Sequence, residues 1–395
     1  MSETVERTPR DAAAQAIGEA GAPAVRSDAR AHGGDVAAIA RAFGVPVDDL
    51  VDFSASINPA GPPPRVLARL AREAADPRIL ARYPDPDYAE LRTALARHLR
   101  VAPASIVIAN GSAALFTAIA RAFAPATCLL PVPAFGEQPR ALTAAGCAIE
   151  PFRLHASDGF LPDVDALIGA LGQTIGARTP SLCLLTNPHN PSGALVSASA
   201  LTRIVRAAAQ ASTRLVVDEA FIDYAPVDSL AEQAARLPHL IVVRSLTKFY
   251  GMPALRVGYA VSTPDAAECV GAQLPPWAVT TSAAGAAAEA LADETYARNT
   301  LATVAVERAW LRDGLIATGV DVFPSAANFL LIRLADDHPA AAHVRVRLIR
   351  EHHLIVRDCR SFDGLEDGRF LRVAVRTRED NHRLLHALRA ILRGD

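Results

Sequence analysis

The sequence predicts an α/β protein, with a large domain built on a mostly parallel sheet and a smaller α/β domain at its C-terminal end. Three observations carry that prediction. Short, uniformly apolar runs rich in Val, Ile and Leu recur between helix-length segments, as strands buried on both faces of a parallel sheet require. The chain has 395 residues, and at roughly 150 residues per domain it has room for about two or three domains. Beyond about residue 290 the αβ units shorten, which reads as a second domain.

Taken in order, residues 1–30 mix Ala, Pro, Gly and charges without sustained periodicity and read as a mobile arm. Residues 31–80 form an N-terminal segment expected to pack with the small domain; 81–290 make the large domain and 291–395 the small one. Leu91, Leu95 and Leu99 stand at helical spacing. Strands are expected at 105–109, 127–130, 181–185, 214–217, 240–243 and 257–261, with a helix from the turn after the first of them to Phe123. A long helix over 296–317 leads to strands at 328–334, 354–357 and 370–375 and a closing helix.

Composition removes several classes of function. Apolar residues make up 51% and charged residues 21%, ordinary globular usage that excludes disorder for most of the chain. A formal charge of −2 gives no basic field for nucleic acid or an anionic membrane. Five scattered cysteines without a CxxC pair speak against a disulfide framework and against a structural zinc site, and no metal is expected. There is no run of 18 apolar residues and no apolar leader, so a soluble protein of the cytoplasm is expected.

One count is more pointed. Of 40 basic residues, 39 are Arg and a single one, Lys248, is Lys. A bias toward Arg removes lysine wherever any cation will serve, but not where an amine must lose its proton, because guanidinium stays charged. Chance survival is the alternative, and the neighbours of Lys248 decide between them.

Four polar clusters follow expected strands, where open α/β sheets bind ligands. Asn110-Gly111-Ser112-Ala113 opens a helix whose first N–H groups would face an anion. Asn187-Pro188-His189-Asn190-Pro191 is an extended loop that presents Asn190. Asp218-Glu219 follows three aliphatic residues, where an acid is costly unless a cation meets it. Ser245-Leu246-Thr247-Lys248, with Arg256 eight residues on, sets two hydroxyls and a guanidinium around the amine.

The order Gly-Ser turn, Asn190, Asp218, Lys248 and Arg256 resembles that of fold-type-I enzymes dependent on pyridoxal 5′-phosphate, over about residues 32–390. That resemblance implies a seven-stranded sheet and assigns roles. Lys248 is similar to the lysine that holds the cofactor covalently, and Asp218 to the acid that keeps the pyridine nitrogen protonated. Asn190 matches the residue bonding the phenolic oxygen. Gly111, Ser112, Ala113, Ser245, Thr247 and Arg256 match the phosphate cup, and Phe135 the aromatic stacked on the ring. Tyr83 resembles a tyrosine that reaches the neighbouring subunit's cofactor phosphate, which implies a homodimer. Phe221 stands where many aminotransferases of this type carry Tyr.

The segments His32-Gly33-Gly34-Asp35, Asp52–Gly61 (DFSASINPAG), Asp218–Asp223 (DEAFID) and Arg244–Tyr250 (RSLTKFY) resemble the threonine-phosphate decarboxylases of cobalamin biosynthesis, a branch that typically carries Phe at the Phe221 position. The resemblance implies a small phosphorylated amino-acid substrate, contacted by His32, Asn58, Gly61, Asn190, Arg357 and Arg372. Arg372, with backbone near Gly61, is expected to take the carboxylate. Histidinol-phosphate aminotransferase is the nearest rival. A protein that keeps the fold only to bind is the third reading, and the complete set Lys248, Asp218, Asn190 and Arg256 opposes it.

Overall fold

The computed structural model describes residues 33–173 and 179–394. The expected arm at 1–30 and the candidate His32 lie outside the described residues. After a short strand β1 (Val51–Asp52), the large domain supplies β2 (Ile106–Ala109), β3 (Thr127–Val132), β4 (Ala148–Arg153), β5 (Leu182–Thr186), β6 (Arg214–Asp218), β7 (Leu240–Ser245) and β8 (Gly258–Val261). They form one seven-stranded sheet in the order β2-β8-β7-β6-β5-β3-β4. Pairing is parallel except where β8 runs against β2 and β7.

The uniform apolarity of these strands follows from burial on both faces. Alternation along β6 sends Leu215 and Val217 into one core cluster and Val216 into another; Val242 and Val243 of β7 divide the same way. Strand β4 was not among the sequence expectations. It is an edge strand carrying Glu150 and Pro151 and is half exposed along its length, so it lacks the apolar signature of its neighbours.

The small domain carries β9 (Asp321–Val322), β10 (Phe329–Arg333), β11 (Leu354–Ile355), β12 (Arg357–Asp358) and β13 (Phe370–Ala374). Four of these make an antiparallel sheet in the order β12-β13-β10-β9, while β11 pairs in parallel with β1. Helices Ala341–His352 and Arg378–Arg393 cover it, burying Val344, Leu348, Leu384 and Leu388. Helix Glu294–Ile316 bridges the domains: Val304 joins the large-domain core, and Leu311 and Leu315 the small-domain core.

The expectation that residues 31–80 pack with the small domain needs correction for its last third. Phe53 is stitched between Ile355 and Ala374 by backbone hydrogen bonds, and Ile39 and Ala40 pack on Ile349 and Ile355. Helix Pro64–Ala74 instead lies on the large-domain helix Thr281–Leu291, where Arg65 pairs with Glu289 at 3.0 Å. Its amphipathic face meets a nearly all-Ala surface, including Gly285, where a Cβ would stand 2.4 Å from Arg69 Nη2. Among the described residues no helix is long and apolar enough to cross a membrane.

Candidate active site

Register places the polar residues side by side along the carboxyl edge of the sheet. Thr186 pairs with Asp218, Asp218 with Val243, and Ser245 and Ala109 with Gly258. A cavity of about 360 Å³ opens over this edge, between the domains. Its lining includes Ser112, Ala113, Phe135, Asn190, Asp218, Ser245, Thr247, Lys248, Arg256, Arg357 and Arg372.

Strand β6 ends in Asp218, which is buried. Its Oδ1 accepts from the Ala220 N–H at 3.1 Å and its Oδ2 from Gln138 Nε2 at 2.8 Å. Burial nevertheless pushes the carboxyl up to about 6, against those hydrogen bonds and the nearby Lys248. Burial pulls Lys248 down to about 8, helped by the positive charges of Arg372 and Arg256 and opposed by Asp218. An amine so placed is available as a nucleophile near neutral pH.

An anion cup is formed by the turns that begin the helix Ser112–Phe123 and follow β7. Ser245 Oγ and Thr247 Oγ1 are 2.7 Å apart. Gly111, at φ +80°, lies so close to Arg256 that a Cβ there would stand 2.6 Å from Nη2. Gly258 lets β8 pass equally close to Ser112, where a Cβ would come within 2.6 Å of the backbone nitrogen. Two hydroxyls, a guanidinium and a helix N-terminus thus converge where no side chain intrudes.

The small domain closes the cavity with two arginines. Arg372 Nη1 donates to Asn190 Oδ1 and Nη2 to the Ser54 carbonyl at 2.9 Å, leaving Nε buried without a partner. Burial draws its guanidinium down to about 10, so it stays charged at neutral pH. Arg357 Nη2 donates to Ser361 Oγ at 2.6 Å. Ser56, buried and lining the cavity, has an unpartnered Oγ.

Three expected residues stand elsewhere. The Asn58 side-chain nitrogen donates to the Phe249 carbonyl, Tyr296 Oη and Thr300 Oγ1. Gly61 gives its carbonyl to Tyr296 Oη at 2.5 Å and backs onto Gly251. Both therefore brace the Lys248 loop from behind and do not line the cavity. Tyr83 is 78% exposed, stacked on Trp277, and outside the cavity of its own chain. No sequence signal assigns a role to Gln138, Ser56 or Ser361. Gln138 carries no local signal, since its partner Asp218 is 80 residues away; the DFSAS segment was noticed, without a role for Ser56.

Comparison with known proteins accords with this geometry. The family described as aminotransferase class I and II matches residues 48–388. The threonine-phosphate decarboxylase of Salmonella typhimurium is 37% identical over 369 residues, covering 92% of this chain and 97% of that protein. The solved structure of L-threonine-O-3-phosphate decarboxylase from Porphyromonas gingivalis has a TM-score of 0.73 at 25% identity, covering 86% of this chain and 99% of that one. Histidinol-phosphate aminotransferase from Sinorhizobium meliloti, solved in complex with pyridoxal-5′-phosphate, has a TM-score of 0.80 at 27% identity, covering 94% and 99%. The site fits that cofactor: the cup suits its phosphate, the buried acid its ring nitrogen and the lone lysine its aldehyde. A match of this length places the chain in the aminotransferase class I and II family, with pyridoxal 5′-phosphate as its cofactor.

Proposed function

We propose that the chain decarboxylates L-threonine O-3-phosphate, giving (R)-1-aminopropan-2-ol O-phosphate and carbon dioxide in cobalamin biosynthesis. The observation that carries this reading is the identity to the Salmonella typhimurium decarboxylase along nearly its whole length. A buried Phe221, edge-on to Phe329 at 4.9 Å, agrees with it, because it offers the cofactor no hydroxyl.

Bound pyridoxal 5′-phosphate supplies an electron sink for the pair left when a bond at Cα breaks. The protein's part is to choose the bond and manage the charges. Ser112, Ser245, Thr247 and Arg256 hold the cofactor phosphate, and Phe135 covers the ring. Asp218 faces the ring nitrogen and holds a proton there, while Asn190 bonds the phenolic oxygen. Arg372 would grip the substrate carboxylate through its remaining N–H groups, with Ser56 Oγ as a further donor, and so fix which bond at Cα is presented for cleavage. Arg357 with Ser361, and His32 and Gly33 from the N-terminal segment, take the substrate phosphate. Lys248 Nζ would hold the cofactor and could return a proton to Cα of the substrate.

We also read the protein as a cytoplasmic homodimer. The exposed, stacked Tyr83–Trp277 pair is consistent with the dimer, in which Tyr83 would reach the neighbouring subunit's cofactor phosphate. Free thiols at Cys128, Cys147, Cys183, Cys269 and Cys359 suit a reducing compartment.

Transamination of histidinol phosphate is the second reading, favoured by the higher TM-score of the Sinorhizobium meliloti structure. Incubation with threonine phosphate separates the two. Carbon dioxide release without an oxo acid supports decarboxylation, and turnover that requires 2-oxoglutarate and yields no gas contradicts it.

A further inference from the structure

We propose that Gln138 is a positioning residue that keeps Asp218 ionised and aims its carboxylate at the ring nitrogen of the cofactor. The inference rests on the cofactor assignment and adds to it a residue that does not touch the cavity.

Gln138 lies in the first turn of the helix Glu137–Ala144 and is wholly buried. Its Nε2 donates to Asp218 Oδ2 at 2.8 Å and to Thr186 Oγ1 at 3.0 Å. Thr186 is the register partner of Asp218 on β5, so the amide spans the ends of two adjacent strands. Both amide hydrogens are spent on these acceptors, and Oε1 is left without a partner. Reversing the amide would set its oxygen against the Asp218 oxygen while leaving two donors unused, so the donating orientation is the one the carboxylate selects.

An amide nitrogen donating to Oδ2 favours the carboxylate over the neutral acid. This preference matters because burial favours the neutral acid, and a neutral acid would not hold a proton on the pyridine nitrogen. Ala220 N–H secures Oδ1 and Gln138 secures Oδ2. Each oxygen then keeps a lone pair free, and the plane of the carboxylate is fixed from both sides.

The test is the full-length chain loaded with 15N-labelled pyridoxal 5′-phosphate, whose ring-nitrogen shift reports protonation directly. The wild-type signal is expected at the protonated position. In Gln138→Met, which keeps the length but loses both donors, the signal is expected to move most of the way to the unprotonated position. The cofactor dissociation constant is expected to rise roughly tenfold. Gln138→His, which can still donate, is expected to recover most of the shift. Gln138→Leu, which also lacks both donors, serves should the Met variant fail to fold, and it is expected to move the signal in the same direction. In an Asp218→Asn background, Gln138→Met is expected to change the dissociation constant by no more than about twofold, which a merely structural role would not produce. A ring as protonated in the Met or Leu variant as in the wild type overturns the inference, as does an equal loss of affinity in the Asn background. A wild-type chain that takes up no cofactor overturns the cofactor assignment, and the inference with it.

Discussion

Arg372 of the small domain donates from Nη1 to the Oδ1 of Asn190 in the large domain, a contact between residues 182 positions apart. With Nη2 on the Ser54 carbonyl, one guanidinium joins the N-terminal segment, the large domain and the small domain at the cavity wall. Its planar fork is what permits this, and an ammonium does not reproduce it. Arg372→Lys is expected to lower kcat/KM for threonine phosphate by at least about 100-fold, roughly 3 kcal/mol of transition-state binding. Arg357, whose Nη2 meets Ser361, is expected to behave differently: Arg357→Ala should raise KM more than it lowers kcat. Steady-state kinetics on both variants read the difference.

Gly111 is a close-packed point of the phosphate cup with a positive φ. Gly111→Ala places a methyl group 2.6 Å from Arg256 Nη2 and asks alanine to hold φ +80°. The cofactor dissociation constant of the stripped chain is expected to rise about tenfold or more, ~1.4 kcal/mol. Titration followed by the cofactor's visible absorbance measures it, and an unchanged constant contradicts this account of the cup.

The lysine has a pH signature. With Lys248 near 8 in the empty site, the neutral amine fraction rises roughly fivefold between pH 7 and 8, and less than about twofold beyond that. The second-order rate of cofactor attachment to stripped protein is expected to follow the same curve. An ordinary lysine would give roughly tenfold per pH unit up to about pH 10.

His189 makes stability depend on acid. Its ring is buried between Ser192 Oγ at 2.7 Å and the Pro133 carbonyl at 2.8 Å, and burial holds it down to about 4. The unfolded chain binds this proton more readily, so stability falls as pH drops from about 6.5 toward 4. The loss from this one group is about 3 kcal/mol at full extent. His189→Gln is expected to be less stable at neutral pH but to show a shallower decline in that window, by denaturant unfolding at several pH values.

Much of this was readable from residues alone, and the exceptions share a cause. Strands β5, β6 and β7 announce themselves because both faces are buried, and the acid and amine stand out because each terminates or follows such a run. Strand β4 stays hidden because an exposed edge tolerates Glu150 and Pro151. Asn58 was expected to meet substrate, but its amide is consumed by groups 191 to 242 residues downstream, partners that no local pattern reveals. Gln138 escaped for the same reason in reverse: a glutamine between Glu137 and Pro139 has no signature until the fold brings Asp218 to it. Charged residues at strand ends can be found by their cost, whereas neutral donors that relieve the cost are seen only in three dimensions.

The most direct test follows carboxyl-labelled threonine phosphate with the loaded wild-type protein and with Lys248→Ala. One labelled carbon dioxide is expected for each aminopropanol phosphate formed, with no requirement for an oxo acid and no turnover by the variant. Label retained in an amino-acid or oxo-acid product, or gas evolved equally well without Lys248, would contradict the proposed function.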